Sequence, residues 1–106
     1  MRLEHEPIEQ FTKDILAIIG RHVDLNEYRV FFFGSRVTGR GDERSDIDIG
    51  IEGKYAVPSR AWSEIVDAFE EYPCLYTLDA VDFKRTSEKF RNVALQKIEL
   101  INNARL

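Results

Sequence analysis

The sequence predicts a small α/β (α+β) domain, a mixed sheet of three to four strands packed with helices. Asp46-Ile47-Asp48-Ile49-Gly50-Ile51 alternates polar or small residues with isoleucine, the period of a half-buried strand. Ile8, Phe11, Ile15, Ile18 and Ile19, and later Trp62, Ile65, Val66 and Phe69, recur at three- and four-residue intervals, the period of a helix with one buried face. The two periods follow one another along the chain, and that order leads to helices layered on a single sheet.

The first helix is expected within residues 5 to 23, with Gly20 near its end. Arg29-Val30-Phe31-Phe32-Phe33 is β-branched and aromatic and reads as a strand, its phenylalanines as sheet core. It runs straight into Gly34-Ser35. A tight turn is expected there, because glycine adopts unusual dihedrals and lets a ligand approach the backbone, while Ser35 can cap a short helix and offer a hydroxyl. Val37 to Arg44, with two glycines and four charges, reads as a helical turn and exposed loop.

A second strand runs from Ser45 to Glu52 and is closed by Gly53-Lys54. Pro58-Ser59 opens the second long helix, which Pro73 bars from continuing beyond Tyr72. Leu75 to Phe83 is the third strand, with Leu75, Thr77, Asp79 and Val81 on one face and Tyr76, Leu78, Ala80 and Asp82 on the other. Thr86 or Ser87 caps a last helix whose apolar positions are Phe90, Val93, Ala94, Ile98 and Ile101.

A chain of 106 residues is expected to form one domain, residues 1–106, with a single modest core. Its 43% hydrophobic and 32% charged residues describe a soluble globular protein rather than a disordered one. Its apolar runs are too short to cross a bilayer, and Met-Arg-Leu-Glu-His-Glu lacks the apolar stretch of a signal peptide, so a cytoplasmic location is expected. The one cysteine, Cys74, excludes an internal disulfide and reads as structural. A formal charge of −4 argues against non-specific grip on DNA or RNA, which draws on clustered Lys and Arg.

The chemistry concentrates between residues 34 and 48: Gly34-Ser35, ten residues, then Asp46-Ile47-Asp48. Amides at a helix start attract anions, phosphate above all. Two carboxylates two positions apart on a strand share a face, with Cα atoms roughly 6 to 7 Å apart. Mg²⁺ takes oxygen ligands and commonly uses one or two carboxylates with substrate phosphates. Two such ions about 3.5 to 4 Å apart can steady both the attacking and the leaving oxygen of a phosphoryl or nucleotidyl transfer. Taken alone, Gly34-Ser35 is an ordinary turn and Asp46-Asp48 a solvated strand face. Their combination at this spacing is what carries the signal.

Other candidates weigh less. An EF-hand is contradicted by isoleucine at every second position. Arg36, Arg40 and Arg44 read as solvated loop residues, with contact to phosphate or to a partner's acidic surface as the alternative. His5 and His22 lack a metal-ligand constellation and read as surface residues. Trp62 and Phe69 read as core.

Phe33-Gly34-Ser35, Asp46-Ile47-Asp48 and the later strand with Asp79 resemble the minimal nucleotidyltransferase (MNT) family of the DNA polymerase beta superfamily, small prokaryotic proteins often paired with HEPN-domain proteins. The resemblance spans essentially the whole chain and implies the nucleotidyltransferase palm fold. It implies that two Mg²⁺ ions are held by Asp46, Asp48 and a third carboxylate on a neighbouring strand, and that Gly34 and Ser35 hold the nucleotide triphosphate. Asp79 is the expected third catalytic and metal-binding acid, since Leu78-Asp79-Ala80-Val81 fits the family pattern. Asp82 is then a solvated residue or a helix-side contact. Asp79 could also serve as base for the attacking hydroxyl.

The activity implied is Mg²⁺-dependent transfer of AMP from ATP to a protein hydroxyl, a tyrosine of a HEPN toxin partner. The chain would be the antitoxin of a type VII-like HEPN/MNT pair. Two alternatives stand beside it: a non-catalytic, nucleotide-binding antitoxin that neutralises its partner by contact, and a nucleotidyltransferase for a small molecule or an RNA end.

Overall fold

A computed structural model describes residues 1, 3, 7–39 and 46–102. Helix α1 (Ile8–Gly20) leads to strand β1 (Tyr28–Phe33), the short helix α2 (Ser35–Thr38) and strand β2 (Ile47–Gly53). Helix α3 (Ser59–Glu71), strand β3 (Leu78–Asp82), a 3₁₀ turn (Phe83–Arg85), helix α4 (Glu88–Ala94) and strand β4 (Glu99–Leu100) follow. The sheet order is β3-β2-β1-β4. β1 is antiparallel to both β2 and β4, whereas β2 and β3 run parallel. A parallel pair needs a crossover between its strands, and α3 provides it.

The alternation read from the sequence decides what each face of the sheet buries. Val30, Phe32, Ile47, Ile49 and Ile51 pack with Phe11, Ile15 and Ile19 of α1 and Ile65 and Phe69 of α3 in the main core. Trp62 is half-buried against the same core, as expected. α1 and α3 are further tied by the Tyr72 hydroxyl, which donates to Asp14 Oδ2 at 2.6 Å. This bond, and a second from Gln10, holds the Asp14 carboxyl below its ordinary range.

The opposite face carries a second cluster in which Phe31, Phe33 and Phe83 are buried beside Val81, Ala94, Leu95 and Ile98. Phe83 meets Phe31 and Phe33 edge-on, with ring centroids 4.9 and 5.0 Å away, the geometry that aligns positive ring edges with negative faces. Gly50 makes room for it, since a Cβ there would stand 2.8 Å from Phe83 Cε1. The Phe31-Phe32-Phe33 run thus serves both cores, alternate rings to alternate faces.

The closing stretch differs from its expectation. Ser87 is the cap, accepting from Phe90 N at 3.1 Å, but the helix ends at Ala94 instead of running through Ile101. Residues 99–100 pair instead with Phe31 and Phe32 as β4. Asn102 anchors this return: its side chain accepts from Val30 N at 2.7 Å and donates to Leu25 and Tyr28 carbonyls at 3.1 and 2.8 Å. Ladder and side-chain bonds tie this segment to β1, and there Ile98 and Ile101 pack against the two cores.

The third strand is shorter than Leu75 to Phe83. Leu75 is exposed, Tyr76 is buried ahead of the strand, and Phe83 turns into the 3₁₀ segment. The first helix is Ile8–Gly20 and stops short of the expected residue 23, while residues 5 and 6 lie outside the described residues. Among the described residues no helix is long and apolar enough to cross a membrane.

Candidate active site

The site starts at the end of β1. Gly34 has φ 83° and ψ −161° and is itself the N-cap of α2, a backbone region essentially restricted to glycine. Ser35, expected as the cap, is instead the first helical residue. The Gly34 carbonyl accepts from Val37 N and Thr38 N, both at 3.1 Å, while the amides at the very start of a helix have no intrahelical carbonyl to serve. α2 ends at Gly39, in the left-handed conformation.

The β1–β2 register sets Phe33 opposite Asp48, which brings Asp48 beside the turn. A Cβ built on Gly34 would overlap Asp48 Oδ2 and lie 3.0 Å from its Cγ. Glycine at 34 is therefore required twice, by its dihedrals and by this carboxylate. In the parallel register Asp48 stands opposite Asp79. Side chains paired across neighbouring strands share a face, so Asp48 and Asp79 face the same side of the sheet. Asp46 lies one residue ahead of β2 and is exposed.

The acids influence one another. The half-buried Asp48 carboxyl is pushed up to about 6, first by desolvation and then by the negative charges of Asp79 and Asp46. A hard divalent cation would relieve this repulsion, and the donors present are all oxygens of the type such cations take. Asp46, Asp48 and Asp79 are the residues that would hold it. Among the described residues no three acidic, His or Cys side chains form a ready-made cage, so phosphate oxygens and water would complete the shell.

Asp82 behaves differently from Asp79. It is 4% exposed, which overturns the solvated reading. Its Oδ2 accepts from Val57 N at 2.8 Å and lies 3.3 Å from Arg85 Nε, and its Oδ1 accepts from Lys84 N at 3.1 Å. This carboxylate is committed to joining β3 to the segment before α3. The two carboxylates that sequence alone offers are separated by register and burial.

Of the remaining candidates, Arg36 has its guanidinium 5.0 Å from the centre of the Tyr76 ring. Arg40, Arg44 and His5 lie outside the described residues. His22 Nδ1 is 2.9 Å from Glu64 Oε2, a contact between α3 and the turn after α1. The Cys74 thiol donates to the Tyr76 carbonyl at 3.1 Å. The sequence reading passed over a hollow of about 420 Å³ beside the turn, where Gly34 and Ser35 face Phe90, Val93 and Lys97. Phe90 and Val93 carried only a helical period, and Lys97 no signal.

The chain is 32% identical over 75 residues to a probable protein adenylyltransferase MntA of Haemophilus influenzae, an overlap of 71% of this chain and 65% of the relative. It thus spans slightly less than two thirds of that protein's length. Among solved structures, a toxin–antitoxin crystallised with AMP-PNP superposes with a TM-score of 0.67 at 18% identity, covering 85% of this chain and 71% of the other. A complex of tri-AMPylated Shewanella oneidensis HEPN toxin with MNT antitoxin superposes with a TM-score of 0.59 at 15% identity, covering 88% and 70%. At these identities the superpositions speak for the fold. The Polymerase beta nucleotidyltransferase family matches residues 13–105, nearly the whole chain, and the protein therefore belongs to that family.

Proposed function

We propose that residues 1–106 act as one minimal nucleotidyltransferase domain that transfers AMP from Mg²⁺-ATP to a tyrosine hydroxyl of a HEPN-type toxin and so serves as its antitoxin. One observation carries the reading: the Gly34 backbone closes on Asp48, which stands in register with Asp79. A phosphate chain gripped at the turn is thereby set beside the carboxylates. The name of the Haemophilus influenzae relative supports protein adenylylation, and the toxin–antitoxin and HEPN–MNT complexes that share the fold support the partner.

In this mechanism Gly34 and Ser35 hold the triphosphate, with the Ser35 hydroxyl as a further donor. Asp46, Asp48 and Asp79 would hold two Mg²⁺ ions, whose charge would neutralise the triphosphate and assist departure of pyrophosphate. Asp79, exposed at the sheet edge, accepts the proton of the incoming hydroxyl. The oxygen bonds to the α-phosphorus and the bond to pyrophosphate breaks.

Incubation with α-labelled ATP, Mg²⁺ and a HEPN toxin tests this reading. Label on a toxin tyrosine, lost in Asp46→Asn while toxin binding is retained, is the expected result. Undiminished neutralisation by that variant would instead establish inhibition by contact. Labelling of a small molecule or an RNA end without any protein partner would move the acceptor to that class.

A further inference from the structure

The acids and the turn account for the phosphates and leave the rest of the nucleotide without a seat. The base and ribose are tethered to the phosphates, so their seat lies within the reach of a triphosphate from Gly34-Ser35 and the acids. The hollow of about 420 Å³ meets that condition, because Gly34, Ser35 and Thr38 form one of its walls. Phe90 and Val93 of α4 line it too, as does Lys97. Its volume falls within the range of about 300 to 1,000 Å³ of small-molecule sites, which pair apolar walls with a few polar groups.

Phe90 is the notable member. Although its ring belongs to the aromatic cluster, 6.2 Å from Phe33 and 5.6 Å from Phe83 between centroids, 40% of the residue remains exposed. Val93, one helical turn on, is 66% exposed. An aromatic ring with an accessible surface offers a stacking platform to any base, since every base has a π-face. Lys97 supplies a positive charge in a chain whose formal charge is −4, beside the turn where the triphosphate would bind.

We propose that the hollow between the Gly34-Ser35 turn and α4 seats the nucleoside of the donor nucleotide, with Phe90 stacking on the base and Lys97 contacting the phosphate chain. This rests on the nucleotidyltransferase reading and adds the residues that would distinguish a nucleotide from bare polyphosphate. Two ligands separate the parts: Mg²⁺-ATP carries a nucleoside, and Mg²⁺-tripolyphosphate does not.

Calorimetric titration of both ligands into the full chain is the test. Phe90→Ala should weaken Mg²⁺-ATP about tenfold, within the range of base–aromatic stacking, and leave Mg²⁺-tripolyphosphate within about twofold, with Phe90→Tyr restoring ATP binding. Because Phe90 also packs on two rings, Val93→Trp provides a variant at an exposed position: by filling the hollow it should exclude ATP and spare tripolyphosphate. Lys97→Ala should weaken both ligands. If wild type binds ATP no more tightly than tripolyphosphate, or if both Phe90→Ala and Val93→Trp keep normal ATP affinity, the nucleoside seat is refuted while the proposed function stands. If these variants lose toxin binding and keep ATP, the hollow belongs to a partner side chain and the inference fails. If wild type binds neither ligand, both the inference and the proposed function fail.

Discussion

At Gly34 a single missing methyl group governs both the backbone and the neighbouring acid. Gly34→Ala should destabilise the chain by about 1–3 kcal/mol, the usual cost of a non-glycine residue in this dihedral region. It should also displace Asp48, against which the methyl would press. Thermal melting together with Mg²⁺-ATP titration checks both effects. Asp48 makes the site sensitive to pH. Burial and the neighbouring acids push its carboxyl up to about 6, above the ordinary carboxylate range, so the folded chain binds the proton more tightly between about pH 4 and 6. Folding therefore loses support from this group as pH rises through that window. Asp48→Asn should raise the melting temperature of the metal-free chain at pH 8 by the equivalent of about 1 kcal/mol, after discounting for solvent screening at a half-buried group. The gain should vanish below about pH 4, and Mg²⁺-ATP should stabilise wild type but not the variant. An Asp48→Asn chain no more stable than wild type at pH 8 would show that the carboxylate is not strained by its surroundings.

Among the elements, β3 separates the roles of two aspartates three residues apart. Asp79 is exposed and faces Asp48, while Asp82 is buried and accepts from Val57 N and Lys84 N. Asp79→Asn should abolish AMP transfer and leave the melting temperature within a degree or two. Asp82→Ala should do the reverse, costing about 1–3 kcal/mol because a buried amide loses its acceptor, with activity retained at temperatures where the chain stays folded. Melting curves paired with label transfer would reveal an exchange of these behaviours, and that outcome would place the third carboxylate at Asp82. Strand parity in the sequence already put the two on opposite faces. Deciding which face belongs with Asp48 took the parallel pairing across α3.

For the molecule as a whole, the sheet is covered unequally. α1 and α3 bury one face in the larger core, while α4 and the 3₁₀ turn cover the other around Phe31, Phe33 and Phe83. The candidate site lies at the margin of this lighter cover, where an opening remains between the turn and α4. Phe83 joins the two by packing on Phe31, Phe33 and Phe90. Phe83→Ala should cost about 3–5 kcal/mol, a large share of the roughly 5–15 kcal/mol that a domain of this size possesses. Chemical denaturation would measure the loss. A cost under about 1 kcal/mol would mean that the second cluster contributes little to holding α4 in place.

The sequence by itself determined the strand–turn–strand unit of the site, because glycine dihedrals, the period-two alternation and the spacing of Asp46 and Asp48 from Gly34-Ser35 are local properties of neighbouring residues. It likewise determined the two long helices through their apolar period. Only the tertiary structure decided that Asp79 shares a face with Asp48, that Asp82 is buried, and that residues 99–100 form a strand. Each depends on contacts between distant segments: Asp48 with Asp79 across α3, Asp82 with Val57, and Asn102 with Val30. A helical period at Phe90, Val93, Ala94, Ile98 and Ile101 could not register that the chain after Ala94 would leave the helix and pair with β1.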